Sequence, residues 1–342
     1  MKRAHLILAA AVSAVVLFPA VHALSWGSTG HRLVGAAAVR SLPDELPAFV
    51  RTPQAAAEVG ELSREPDRWK GAGQPHDRER DTAHFVDMTD DGRVMVAAGP
   101  HIRELPELKW QYDAALIQAG TDVNAAGYLP YAIMDAWQQL VRDFAYIRVL
   151  NAAAARETDP ERAAWYREDL KRREALTLRD LGVLSHYVGD AAQPHHTTIH
   201  YNGWDRDTPN PEGFTTSRQT HGMFEGAFVQ RTQRLDAIEA AMPASRLEGF
   251  DLRARTADYL LATLGQVTPF YRLEKSGGFR DDDPRGAAFA TERLAAGAAE
   301  LRDLTILAWR ASAEVSVGWP AVKVAEVEAG SADPWLAMIG ED

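Results

Sequence analysis

Along this chain, long stretches in which apolar residues return every three or four positions alternate with shorter stretches rich in Gly, Pro, Asp and Asn. The long stretches have a helical period, and the period-two alternation of a half-buried strand is scarce. Residues 31–42 read as a first helix, stopped by Pro43. Pro130 suits the first turn of a long helix running to about Ala155, with Ile133, Trp137, Leu140, Phe144 and Ile147 on one stripe. Asp159-Pro160 starts the next helix. It either runs on into the segment carrying Leu176, Leu181, Leu184 and Val188 or breaks near residues 171–174. Residues 220–241, 252–271 and 286–317 complete the helical set, and residues 71–128 and 197–219 read as loops. No tandem repeat stands out. The pattern predicts an all-α protein: a single multi-helix domain with long functional loops.

The N-terminus adds a compartment. Lys2 and Arg3 precede an apolar run over residues 6–18, Pro19 breaks it, and small residues follow at Ala23 and Ser25. This is the order of a secretory signal peptide. The run falls short of the roughly 20 apolar residues that span a bilayer, so no transmembrane anchor is predicted. The expectation is a signal over residues 1–25 and one domain over 26–342, secreted or periplasmic. Cleavage after Ala23 or after Ser25 fits, and the second leaves Trp26 at the new N-terminus. The chain has no cysteine, hence no disulfide framework and no lipoprotein anchor. Bound metal is another source of rigidity.

Charge narrows the partners. Lys and Arg number 37 against 48 Asp and Glu, a net charge of −11, and the segment 1–25 contributes two of the cations and none of the acids. Stable binding to duplex nucleic acid needs many Lys and Arg contacts to phosphate, so this balance argues against it. A small phosphate ester remains open, because metal ions would reverse the local potential.

The candidate chemistry is concentrated in two segments. His186 and Asp190 stand four residues apart, followed by His195 and His196 beyond Gln193-Pro194; His221 and Glu225 repeat the spacing. Residues four apart share one face of a helix, and imidazole and carboxylate are natural ligands of Zn²⁺. A surface hydrogen-bonded pair is the bland reading of each. Four ligand-type groups between residues 186 and 196 would be costly to bury unless something paired them, which favours a multinuclear metal site. Of the adjacent His195 and His196, one is expected to be a ligand, since neighbouring side chains diverge. His84, in Thr82-Ala83-His84-Phe85-Val86-Asp87, sits in a short segment read as extended. Alone, His84 reads as a packed polar residue, Asp67 as a turn cap or a partner of Arg68, and His31 as a helix-start histidine. No HExxH sequence occurs, which disfavours a zinc peptidase of that type.

Taken in order, Trp26, His31, Pro66-Asp67, His84-Phe85-x-Asp87, His186-x3-Asp190-x5-His196 and His221-x3-Glu225 resemble the superfamily that joins single-strand-specific nucleases with bacterial zinc-dependent phospholipases C. The resemblance spans residues 26–225; the C-terminal third carries no assignable motif. It implies three Zn²⁺ ions in a helical domain. One would be held by Asp67, His84, His186 and Asp190, and a second by His196, His221 and Glu225. The third would take the α-amino and carbonyl groups of Trp26 with His31 and a bridging Asp190. That ligand set requires cleavage before Trp26. Asp67 is the carboxylate the family implies as base or water-orienting group, and Phe85, Tyr201 and Trp204 are candidate substrate contacts.

The implied substrate is a phosphodiester, either phospholipid or single-stranded nucleic acid. Trp26-Gly27-x2-Gly30-His31 looks more like the nuclease branch. His221-x3-Glu225, the absence of a Gly-Gly-Asn stretch after the central motif and the acidic, cysteine-free composition look more like the phospholipase branch. The first reading is a secreted, phospholipase C-like hydrolase using metal-activated water. The alternatives are a single-strand-specific nuclease and a non-catalytic, zinc-stabilised secreted binding protein.

Overall fold

Three helices in this chain start where a capping side chain precedes a proline. In a computed structural model, which describes residues 26–340, Asp159 accepts hydrogen bonds from the Glu161 and Arg162 backbones (2.8 and 3.1 Å) at the head of helix Pro160–Ala192. Thr52 caps helix Pro53–Leu62 and Asp283 caps helix Pro284–Ala311 in the same way. The cap satisfies orphaned N–H groups, and proline there loses no hydrogen bond. The signal-peptide expectation falls on residues 1–25, outside the described residues.

Helices Leu129–Arg156 and Pro160–Ala192 form a long antiparallel hairpin. The second runs unbroken through residues 171–174, where Lys171 and Arg172 pair with Glu168 and Asp169 one turn back. Helices Gly27–Arg40, Pro53–Leu62, Leu252–Leu264 and Pro284–Ala311 pack around its C-terminal half. From Leu184 to Ala192 every residue is buried. A helix surrounded on all sides is a core helix, so the polar side chains it carries must be satisfied inside the protein. Gly35 makes one of the crossings possible: a Cβ there would stand 3.0 Å from Ser185 Oγ and 3.2 Å from the Val59 carbonyl.

The result is a single helical domain, as the periodicity predicts; among the described residues the only paired strands are the two-residue Ser316–Val317 and Val322–Lys323. Several boundaries differ from the sequence reading. The first helix starts at Gly27 and ends at Arg40. Residues 220–241 are not one helix: Thr220–Met223 leads into a π-turn over Phe224–Phe228, then Val229–Thr232, a break at Gln233 and Arg234, and Leu235–Ala241. Residues 252–271 divide after Leu264 into Leu252–Leu264 and Val267–Lys275. The last long helix ends at Ala311, and the chain turns at Gly318 (φ +76°). Within 71–128, helix Lys109–Gln118 stands among the loops. His84 closes a 3-10 turn, Thr82–His84, and the extended backbone begins after it, at Phe85.

The helical hairpin also buries an acid pair. Asp143 and Asp180 face each other across it; Gln139 donates to Asp143 Oδ1 (2.9 Å) and Arg179 to Asp180 Oδ1 (2.6 Å). Burial and the Asp180 carboxylate push Asp143 up to about 7. The folded protein therefore holds a proton that the unfolded chain releases near pH 4, and stability contributed by that proton is lost as pH rises from about 4 through about 7. Asp143→Asn is expected to match the parent protein at pH 4 and exceed it by about 2 kcal/mol at pH 8. Urea unfolding across that range is the check, and curves that coincide throughout would refute the shared proton.

Candidate metal centre

The last turns of helix Pro160–Ala192 place His186 and Asp190 on one face, both fully buried. Gln193 then turns extended, and the 3-10 turn Pro194–His196 brings His196 back over the helix end. His31, from helix Gly27–Arg40, stacks on His186 with ring centroids 4.0 Å apart. Gly189 leaves room for it: a Cβ there would stand 3.1 Å from His31 Nδ1. Trp26, fully buried, donates its indole N–H to the Gly189 carbonyl (2.6 Å), which fixes the start of the described chain beside the turn carrying Asp190. Asp67 comes from the one-turn helix Glu65–Arg68, and His84 from its 3-10 turn. His221 and Glu225 come from opposite sides of the junction between α-helix and π-turn, and π-turns recur at functional sites.

Three groups of donor atoms converge: His31, His186 and Asp190; Asp67, His84 and His186; and His196, His221 and Glu225. His84 Nδ1 lies 2.8 Å from His186 Nε2, and each is 3.2 Å from Asp190 Oδ2. Asp67 Oδ1 is 3.9 Å from His84 Nδ1, and His31 Nε2 is 3.5 Å from Asp190 Oδ1. In the third group, His221 Nε2 is 3.1 Å from His196 Nε2 and 2.7 Å from Glu225 Oε2, which is 3.6 Å from His196 Nε2. Donors set tetrahedrally at ~2.0–2.2 Å around one Zn²⁺ stand about 3.3–3.6 Å apart, the scale of these separations. Asp190 Oδ1 and Glu225 Oε1 are buried and accept no hydrogen bond among the described residues, and His221 Nδ1 is also without one. The residues fit a bound cation.

The imidazoles are held from behind. His186 Nδ1 donates to the Ser63 carbonyl (2.8 Å) and His196 Nδ1 to the His84 carbonyl (2.6 Å), so each turns Nε2 inward. Such backing hydrogen bonds set the tautomer and orientation of a ligating histidine. Gln193, fully buried, donates to Glu225 Oε2 (3.1 Å) and accepts from the His195 backbone (2.7 Å). Electrostatics match this order. Burial opposes ionisation of Asp190, but His186, His196 and the hydrogen bonds to it hold its carboxyl well below the usual range. Glu225 is likewise lowered, by His221 and His196 against burial. Burial and His186 drive His31 down to about 3, so its imidazole is neutral and available as a donor. His196 is pushed up to about 9, Asp190 and Glu225 outweighing burial.

Of the adjacent histidines, His196 joins the third group and His195 does not. His195 packs edge-on against Phe270 (4.4 Å between centroids), and burial lowers its pKa well below the ordinary value. His195→Ala is expected to leave the zinc content of purified protein nearly unchanged. A lost equivalent of zinc per chain, read by atomic emission, would make His195 a ligand.

A cleft of about 450 Å³ opens over the centre. His84, His195, His196 and His221 reach it, Phe85 and Tyr201 form walls, and Lys70, Arg78, Asp87 and Asn124 are among its other lining residues. Lys70 Nζ lies 3.1 Å from Asp67 Oδ1. Burial opposes ionisation of both, but His186, His31, His84 and Lys70 hold the Asp67 carboxyl below its ordinary value, and Asp67, Asp81 and Asp190 hold Lys70 above its own. Trp204 stands apart, stacked on His200 at 3.7 Å and facing a separate pocket. The sequence reading singled out neither Lys70 nor Asp87 as a site residue. Lys70 follows Asp67 by three residues, and Asp87 follows Phe85 by two; both spacings were available signals. Asp87 is buried, and burial raises its carboxyl well above the usual range.

The fold and centre together define a helical domain whose clustered histidines and carboxylates can hold metal. No protein-family model matches the chain, and no curated protein matches it. Among solved structures, alpha-toxin of Clostridium perfringens, isolated from avian strain SWCP, aligns with a TM-score of 0.38 at 13% identity over 86% of this chain and 68% of that one. Alpha toxin of Clostridium absonum aligns with a TM-score of 0.36, also at 13% identity, with the same two coverages. Likenesses of this size carry no argument about function, so the reading that follows rests on the centre itself.

Proposed function

We propose that this chain is a secreted, zinc-dependent hydrolase of phosphoric diesters, phospholipase C-like in its reaction. The observation that carries the proposal is the convergence of three largely buried donor groups, the first two sharing His186, beneath a cleft edged by Lys70 and Arg78. The reading assigns Asp67, His84, His186 and Asp190 to one zinc, and His196, His221 and Glu225 to a second. The third takes His31, Asp190 and the Trp26 terminus. Zinc, when bound there, neutralises phosphate oxygens and acidifies water.

The chain's own groups supply the rest. Lys70 and Arg78 draw the anionic diester into the cleft and offset its charge. The Asp67 carboxylate, kept ionised beside Lys70, orients water and accepts its proton. Phe85 and Tyr201 flank the substrate, while Gln193 holds Glu225 in place. Trp204 serves the adjoining pocket. A second reading, a single-strand-specific nuclease, draws on the same Phe85 and Tyr201: Tyr201 is 40% exposed at the cleft and offers a face on which a base can stack.

The deciding experiment compares turnover of phosphatidylcholine and single-stranded DNA by zinc-loaded protein, with and without chelator. Chelator-sensitive release of phosphocholine is the expected result. Chelator-sensitive cleavage of DNA alone would replace it with the nuclease reading. Turnover of neither substrate, with zinc bound, would shift the reading to another phosphoester or to the non-catalytic zinc-stabilised binding protein.

A further inference from the structure

Residues 197–220 join two candidate ligands, His196 and His221, and the segment is braced from within. The Trp204 backbone donates to the Thr215 carbonyl (2.8 Å), and Asn210 and Phe214 exchange two hydrogen bonds (2.9 and 2.8 Å). From outside, Arg272 grips Glu212 through two contacts (2.9 and 2.6 Å), and Tyr271 donates to the His200 carbonyl (2.5 Å). This platform carries a second pocket of about 230 Å³, and Tyr201 lines both that pocket and the cleft.

Two cations line the second pocket, Arg206 and Arg218. Among the described residues neither makes an ion pair or a hydrogen bond. That is unusual in a chain with more acids than bases, where surface arginines readily find carboxylates. Arg78, on the cleft, is uncommitted in the same sense. Asp205 and Asp207 share the pocket, but the Asp205 carboxylate is engaged by the Asp207 backbone (3.2 Å), and neither acid lies within ion-pair distance of the arginines. Guanidinium groups present planar, always-charged donors that match phosphate oxygens.

We propose that Arg206 and Arg218 form a second phosphate-binding subsite beside the cleft, which takes a further phosphate of the same substrate while the scissile diester lies over His84, His196 and His221. Tyr201, on the border, separates the two phosphates. The proposal rests on the reading of the cleft as a phosphodiester site and extends it: the preferred substrates carry more than one phosphate.

The test uses full-length, zinc-loaded protein and the double variant R206A/R218A. Bis(p-nitrophenyl) phosphate reports turnover of a single diester. Two pairs differ by one added phosphate: dithymidylate with and without a 5′-phosphate, and phosphatidylinositol 4-phosphate against phosphatidylinositol in mixed micelles. The parent protein is expected to favour the added phosphate by about tenfold in kcat/KM in one pair. The pair that responds identifies the phosphate's source. The double variant is expected to lose that preference while kcat on bis(p-nitrophenyl) phosphate stays within twofold. R206K/R218K, which keeps the charge, is expected to retain part of it. A preference that is absent from both pairs, or survives R206A/R218A, overturns the subsite. Inorganic phosphate binding, followed by calorimetry, provides a readout independent of turnover: the parent binds at a second class of site that the double variant lacks. If no diester is turned over but this difference persists, the functional reading fails and the subsite stands. If diesters are turned over and phosphate binding is identical in the two proteins, the reverse holds.

Discussion

Asp190→Asn is expected to lose bound metal and stability together. Asp190 Oδ2 stands 3.2 Å from both His84 and His186, and Oδ1 stands 3.5 Å from His31, so one carboxylate serves two of the three donor groups. Asparagine keeps the volume but removes the charge and replaces one acceptor with a donor aimed at imidazoles. Zinc content is expected to fall by at least one equivalent per chain, affinity at the affected positions to drop by more than tenfold, and unfolding free energy to decrease by about 3 kcal/mol or more. Turnover of a diester, measured at saturating zinc, is expected to fall by about a thousandfold. Atomic emission on dialysed protein and urea unfolding read the first two effects separately. Full zinc retention in the variant would remove Asp190 from the ligand set.

A comparable loss of stability is expected far from any ligand, at Arg255. Its guanidinium spans helices Leu252–Leu264 and Pro284–Ala311, bonding Glu300 twice (2.7 and 2.8 Å) and Asp303 once (3.1 Å). Both acids are buried, and Asp303 keeps Arg302 as a second partner, whereas among the described residues Glu300 is left with Arg246 alone, at 4.0 Å. Removing one partner of a buried ion pair strands the other charge. Arg255→Ala is expected to cost about 3–5 kcal/mol. Adding Glu300→Gln is expected to recover part of that, because the stranded charge disappears. A single-variant loss below about 1 kcal/mol would show the network to be solvated and weak. The effect reaches the centre as well, since Tyr259 on the first of these helices donates to the Val188 carbonyl (2.9 Å), two residues before Asp190.

What was legible in the sequence was what local rules govern. Periodicity and the Asp159-Pro160 cap located the long helices because propensity, capping and burial agree there. The i, i+4 pairs were legible for the same reason: the helix fixes their geometry before any tertiary contact forms. The π-turn at Phe224–Phe228 was not, since a shift of one residue in backbone hydrogen bonding leaves the apolar pattern almost unchanged. His84 was read as part of a short extended segment, while the 3-10 turn that orients it occupies only three residues and leaves little trace in the sequence. Trp204 was grouped with the cleft alongside Tyr201, yet the chain turns between them at Gly203 (φ +88°), and the Trp204 ring stacks on His200. The i, i+3 spacing of Lys70 to Asp67 was a local signal, but its pairing with Asp81 and its place on the cleft come only with tertiary structure.

The candidate ligands all lie between Trp26 and Glu225, but the walls that hold them do not. His195 rests on Phe270 and Tyr271, Phe224 is surrounded by Phe270, Phe279 and Phe289, and helix Pro284–Ala311 backs both the first helix and the one carrying Asp190. A fragment ending at Glu225 would thus contain every candidate ligand and Phe224 but none of the rings, Phe270, Tyr271, Phe279 and Phe289, that pack against them. The motif and the folding unit are different objects in this chain, and transplanting the first into another scaffold would require rebuilding a bed of aromatic rings that the ligand spacing does not encode.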